Sequence, residues 1–272
     1  MGDTTRIFWT DHTFNSHVGC LEVSEECDHC YARVLAERWA KTYGEVWGPP
    51  RSTDRHVTSD ANWRKPIIWN RKAQHNEQHW TKSWRASVRG GQRRLVFCNS
   101  MSDLFEFHPQ LELVRERLWK LIEATPWLDW QLLTKRPMNI ARMYPRRWLE
   151  HPPSNVWLGT SVGLQKWAPI RIPALLEVPA VVHFISAEPL LGPLDFTPWL
   201  PRVNWIITGG ESGPGHRPFD IAWVRQIDQQ CQRYGVAHFF KQVGGRTPES
   251  GGCKLDGLEV KEFPIPRLER VA

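Results

Sequence analysis

The chain has 272 residues, 41% of them hydrophobic, with 35 Lys plus Arg against 29 Asp plus Glu and a formal net charge of +6. No stretch approaches the ~18 apolar residues of a membrane span, and Met1 to Ile7 lack the apolar core of a secretory signal, so the composition predicts a soluble, cytoplasmic protein. The length fits one large domain or two small ones, and the basic excess tilts toward a polyanionic partner.

In chain order, a first strand is expected over residues 13–18, followed by a loop carrying Cys20, Cys27 and Cys30 and by a helix starting near Tyr31. Residues 43–90 then interrupt any regular pattern. They hold Gly48-Pro49-Pro50, Pro66, many cations and the tryptophans Trp63, Trp69, Trp80 and Trp84, out of 16 in the chain. Trp63-Arg64-Lys65 and Trp84-Arg85 set rings beside cations, a pairing that suits stacking on bases and contact with phosphates. The stretch reads as a basic, Trp-rich insertion, either a lid or a substrate-binding region; a protein-partner surface is the alternative.

From residue 95 the chain repeats a short apolar run, a polar tip and a connection. The runs are Leu95–Cys98, Trp130–Leu133, Val156–Leu158, Val181–Ile185, Trp205–Ile207 and His238–Phe240, nearly continuous as in parallel strands covered on both faces. Residues 111–123 and 221–234 carry helical apolar spacing, the second closed by Gly235 where a C-cap wants glycine. About seven βα units predict a single α/β domain over 1–272. Its fold would be a full or partial (β/α)8 TIM-like barrel with the insertion after the first βα unit and an irregular tail over 244–272.

Ligands of such sheets sit at the carboxyl ends of the strands. The tips there are Asn99-Ser100-Met101-Ser102-Asp103, Thr134-Lys135-Arg136, Gly159-Thr160-Ser161, Ser186-Ala187-Glu188, Gly209-Gly210-Glu211 and Lys241-Gln242. Each alone reads equally as a cap or turn. Together they nominate Glu188, Glu211 and Lys135 as catalytic groups, and Asn99, Ser100, Asp103, Ser161 and Glu188 as cofactor contacts. Arg136 and Lys241 are expected to meet phosphate or carboxylate, beside Trp63, Arg64, Lys65, Trp69, Trp80, Trp84 and Arg85 on a nucleic-acid surface.

Three thiols within eleven residues, among Glu22, Glu25, Glu26, Asp28 and His29, are a poor buried core and a good soft-metal donor set. A structural zinc needs a fourth ligand, from His17, His29 or a remote cysteine; an iron-sulfur cluster on three cysteines leaves one iron open.

The three-cysteine loop after a first strand resembles the radical S-adenosylmethionine superfamily. More closely, the chain is similar to a phage and bacterial family marked by a three-cysteine motif. The matching stretches include Val18-Gly-Cys20, Cys27-Asp-His-Cys30-Tyr-Ala32, Asn99-Ser-Met-Ser-Asp-Leu-Phe105, Leu133-Thr-Lys-Arg-Pro137, Ser186-Ala-Glu-Pro-Leu-Leu-Gly-Pro193, Gly209-Gly-Glu-Ser-Gly213 and Phe240-Lys-Gln242. Two features depart from the superfamily: the cysteine spacing is six then two residues, and Gly-Gly-Glu comes late. The resemblance implies a [4Fe-4S] cluster on Cys20, Cys27 and Cys30, with S-adenosylmethionine reduced by one electron to release a 5′-deoxyadenosyl radical. An electron donor is implied too. The substrate expected is nucleic acid, DNA before RNA, undergoing base modification or reductive or light-driven lesion repair. Two other classes stay open: a zinc-stabilised nucleic-acid-binding module without catalysis, and a phage or defence factor that binds a protein.

Overall fold

The computed structural model of the chain describes residues 5, 7–75, 93–247 and 250–265. Seven strands form one parallel sheet in the order β1 (His12–Thr13), β4 (Arg94–Cys98), β5 (Leu128–Thr134), β6 (Val156–Ser161), β7 (Val182–Ala187), β8 (Trp205–Gly209) and β9 (Ala237–Gln242). Two short strands, β2 (His17–Val18) and β3 (His56–Val57), pair with each other outside it. The expected first strand therefore divides: its start joins the main sheet and its end leaves to carry the cysteine loop.

The sheet curls. Trp9, just ahead of β1, packs against Trp205 of β8 with ring centroids 6.2 Å apart, although five strand steps separate β1 from β8. A flat sheet would hold them about 24 Å apart, so the strands wrap around a common interior. That interior is aromatic: Trp9, Phe97, Trp157, Phe184, Trp205, Phe239 and Phe263 form one buried cluster. Gly159 makes room in it, because a Cβ there would lie 2.3 Å from the Phe184 ring.

The alternate residues of the same strands face outward under helices. Val96, Trp130, Leu132 and Leu158 pack with α3 (Asp60–Gln74) and α4 (Leu111–Glu123), while Ile185, Ile206 and Phe240 pack with α7 (Ala168–Leu176) and α8 (Ile221–Tyr234). Between α4 and α7 lie two short helices, α5 (Ile140–Met143) and α6 (Arg146–Glu150); α1 (Tyr31–Arg38) and α2 (Ala40–Tyr43) follow the cysteine loop. Helix α8 starts on Asp220, whose carboxylate accepts the Ala222 N–H at 2.8 Å, and stops on Gly235 at φ 65°, as its sequence predicts.

Two expectations need correcting. Within 43–90, residues 60–74 form α3, whose buried stripe is Asn62, Trp63, Pro66, Trp69 and Ala73. Trp63, 4% exposed, meets Phe14 edge-on, and Trp69, 3% exposed, stacks on His12 with centroids 4.3 Å apart. Both rings are core, because the helical period turns them inward while Ile67 and Ile68 face out. Neither is a substrate surface. Arg64 is exposed beside them and Lys65 half-buried; Trp80, Trp84 and Arg85 lie outside the described residues.

The tail is also more ordered than its composition predicts. Strands β10 (Lys254–Leu255) and β11 (Leu258–Glu259) make a hairpin, and residues 260–262 then bond along the free edge of β9. Lys261 sits over the Phe8 ring, so this segment lies between β9 and the chain entering β1. No helix among the described residues is long and apolar enough to cross a membrane.

Candidate functional site at the cysteine loop

The sheet register aligns the polar tips. Thr134 lies opposite Thr160, Ser161 opposite Ser186 and Ala187 opposite Thr208, which forms a continuous rim at the carboxyl ends of β5 to β8. The cysteine loop lies across this rim. It leaves β2 at Gly19, which holds φ 114° against the Val46 carbonyl and forms a bridge to Ser102 of the β4 tip. A side chain at 19 would strike that carbonyl, so glycine sets the entry of Cys20.

Three anchors hold the loop. The first is Asp103. Its Oδ1 accepts from the Thr134 hydroxyl at 2.6 Å and the Phe105 N–H at 3.0 Å, and its Oδ2 from the Lys135 N–H at 3.0 Å and Arg136 Nη1 at 2.9 Å. Burial alone would raise the Asp103 carboxyl, but Arg136 and these donors outweigh it and hold it below its ordinary value. Arg136 then donates through Nη2 to the Leu21 carbonyl at 2.5 Å and through Nη1 to the Cys20 sulfur at 3.7 Å. Burial pushes the Cys20 thiol up to about 12, against the opposing pull of Arg136.

The second anchor is Glu26, fully desolvated between the Gly163 N–H at 2.5 Å and the guanidinium of Arg171, which also donates to the Ser161 carbonyl at 2.9 Å. The third is Glu211. It pairs with Arg217 and accepts from His29 Nδ1 at 3.0 Å, while Arg217 Nη1 donates to the Glu25 carbonyl at 2.8 Å. Burial works against the Glu211 carboxylate, yet Arg217 and His29 still hold its pKa below the ordinary value.

The nominated residues thus divide by role. Asp103 and Glu211 hold the loop, with their lone pairs already engaged. Asn99 is buried and bonds on both sides of its amide to Ser16, and the Ser100 hydroxyl receives Asn15 Nδ2 at 3.0 Å. Lys241 and Glu188 form an ion pair of 2.7 Å at the tips of β9 and β7, with the Ser186 hydroxyl donating to Glu188 at 3.3 Å. Ser161 lies at the same rim, and the Lys135 side chain is half-buried there.

Glu26, Arg171, Arg217 and His29 escape a reading by strand tips. Arg171 did leave a signal, as the single charge in the otherwise apolar run Ala-Pro-Ile-Arg-Ile-Pro-Ala-Leu-Leu of α7.

All three loop cysteines are free thiols of intermediate exposure, and Cys30 is the N-cap of α1. Among the described residues no three His, Cys, Asp or Glu side chains converge as the donors of one metal ion. A lone zinc needs its sulfurs all at about 2.3 Å from one point. An iron-sulfur cluster takes each thiolate at a separate iron, so its three sulfurs need not share one point.

Residues 4–264 match the model of the family described as "Protein of unknown function (DUF5131)". The chain belongs to this family. No curated protein and no solved structure matches it. The family's match takes in the cysteine loop, the anchors and every strand of the curled sheet.

Proposed function

We propose that this member of the DUF5131 family is an iron-sulfur, S-adenosylmethionine-dependent enzyme acting on nucleic acid, built on a partial (β/α)8 barrel. The observation that carries the reading is the cysteine loop: three unpaired thiols lie across the carboxyl rim of a curled parallel sheet, held by the Asp103–Arg136, Glu26–Arg171 and Glu211–Arg217 pairs. Cys20, Cys27 and Cys30 would hold the cluster. When bound, it supplies one-electron reduction of the sulfonium, chemistry that belongs to the cofactor rather than to any side chain.

The chain's own residues bind, orient and exclude water. Glu188 and Lys241 present one negative and one positive group side by side, matched to the ammonium and carboxylate of an amino-acid head. Ser161 offers a neutral hydroxyl at the adjoining strand end, suited to a ribose. Arg136 keeps Cys20 in place and sets a fixed positive charge beside its sulfur, which favours the thiolate a metal requires. The aromatic interior below the rim keeps bulk water from the reacting groups. The net charge of +6 supports a polyanionic substrate, with base modification or lesion repair as the reaction class.

Anaerobic purification with iron and sulfide analysis and an absorption spectrum tests the reading. Brown protein whose colour is lost in Cys27→Ala supports it; stoichiometric zinc without iron overturns it in favour of a zinc-stabilised binding module.

A further inference from the structure

With Trp63 and Trp69 in the core, a nucleic-acid substrate needs another surface, and the fold provides a groove of about 1140 Å³ between α4 and the α5–α6 turn. One wall is the loop Phe107–Pro109, the other Arg142 to Pro145, with Arg51 at one end. Trp119 and Tyr144 line it and meet edge-on at 5.6 Å, with Trp148 packed edge-on behind Tyr144 at 5.1 Å. Five cations line it against two carboxylates, Glu112 and Glu116.

Two of those cations are already committed. Arg115 donates to the carbonyls of Leu104 and Glu106, and Arg147 pairs with Glu123. Arg51, Lys120 and Arg142 are exposed, and none makes an ion pair within the described residues. Phe107 stands beside them with 55% of its surface in solvent, a flat apolar face among cations. The Tyr144 hydroxyl is buried with no hydrogen-bond partner among the described residues, a donor whose desolvation nothing yet offsets.

The groove adjoins the cysteine loop through one short segment. Phe107 lies four residues past Asp103, and the buried pair between Arg55 and Glu106, 2.8 Å, fixes this segment to the 46–55 chain. Through Arg136, Asp103 reaches Cys20.

We propose that this groove binds single-stranded nucleic acid next to the reacting nucleotide, with Arg51, Lys120 and Arg142 on successive phosphates and Phe107 stacking on a base. The chemistry is that of non-sequence-specific strand binding, a basic track interleaved with an aromatic platform. It rests on the nucleic-acid part of the functional reading and gives that substrate a place on the molecule.

The test is fluorescence anisotropy of the full chain with 5′-labelled single-stranded DNA and RNA of about 12 nucleotides, as a function of salt, with inorganic phosphate as competitor. In the pair variant Lys120→Glu/Arg142→Glu, affinity should fall roughly tenfold or more at low salt, and the slope of log affinity against log salt should flatten by about 1.4, the loss of two single-strand phosphate contacts. Phe107→Ala should weaken binding between about 5-fold and 150-fold with the slope unchanged, as expected for stacking. All three side chains are exposed, so urea midpoints should match wild type. Wild-type binding that neither variant alters overturns the groove and leaves the substrate class standing. No binding by wild type overturns the substrate class and the groove together. Displacement of the strand by millimolar inorganic phosphate marks a free-phosphate site and also overturns the proposal.

Discussion

Replacing Arg136 by methionine isolates the anchor on which Cys20 depends. The substitution keeps much of the apolar stem and removes three contacts at once: to Asp103 at 2.9 Å, to the Leu21 carbonyl at 2.5 Å and to the Cys20 sulfur at 3.7 Å. It leaves the Asp103 carboxylate buried, with only the Thr134 hydroxyl and two backbone N–H groups for compensation. Removing one partner of a buried pair costs about 3–5 kcal/mol; the remaining donors place this case near the lower end, at ~3 kcal/mol. With a urea dependence of at most about 3 kcal/mol per molar, the midpoint should fall by about 1 M or more. Iodoacetamide labelling of Cys20 should quicken, because freeing the Leu21 carbonyl exposes a thiol whose pKa is raised chiefly by burial, and relief of that burial outweighs the lost pull of Arg136. In Asp103→Asn/Arg136→Met the charge left behind is gone, so the double variant should recover part of the loss, with a coupling of about 0.5–3 kcal/mol. A midpoint shift below about 0.3 M together with unchanged labelling would show that the pair does not hold the loop.

Trp63→Ala should destabilise by about 3–5 kcal/mol in urea unfolding while leaving oligonucleotide affinity of the folded protein unchanged, the opposite of what a stacking surface requires. Gly159→Ala drives a methyl into the Phe184 ring and should cost about 1–3 kcal/mol; a stability equal to wild type would mean the curled interior has room that the structure does not show. Burial, then Arg55 alongside, lowers the His17 imidazole from 6.5 to about 3. Between those values the unfolded chain binds the proton and the folded chain does not, so stability should drop as pH falls from about 6.5 toward 3, by up to ~1.4 kcal/mol per pH unit. His17→Gln should lose that slope in urea midpoints measured at pH 7.5 and 5.5; an identical slope in the variant would assign it to other groups.

The strands were legible because each is buried on both faces, which leaves a nearly unbroken apolar run such as Val182 to Ile185. Their ends were not. Ser161, Ser186 and Thr208 are polar yet buried, so strands that composition would stop early run on to the rim. Helix α3 was hidden by its own chemistry: Pro66 sits within it, its outer face mixes Arg64 and Arg71 with Ile67 and Ile68, and the inward stripe is made of tryptophan rather than leucine. The cysteines announced themselves by spacing. Their anchors did not, because Glu26 meets Arg171 and Glu211 meets His29 across 145 and 182 residues of chain, and nothing local marks one acid among several as the buried one.

The aromatic interior also closes one end of the sheet. Trp157, Val182 and Trp205 stand at or next to the first residues of their strands, and Phe263 of the returning tail packs among them, so the amino end of the curled sheet is stoppered. With that end filled by packed side chains, the polar residues of the sheet gather at its carboxyl rim. Under the proposed function, small cosubstrate and nucleotide would both approach from that rim, and a base would reach it only when turned out of its strand. Spent cosubstrate and modified strand would then leave by the same side, which would tie release of the strand to each cycle of the proposed reaction.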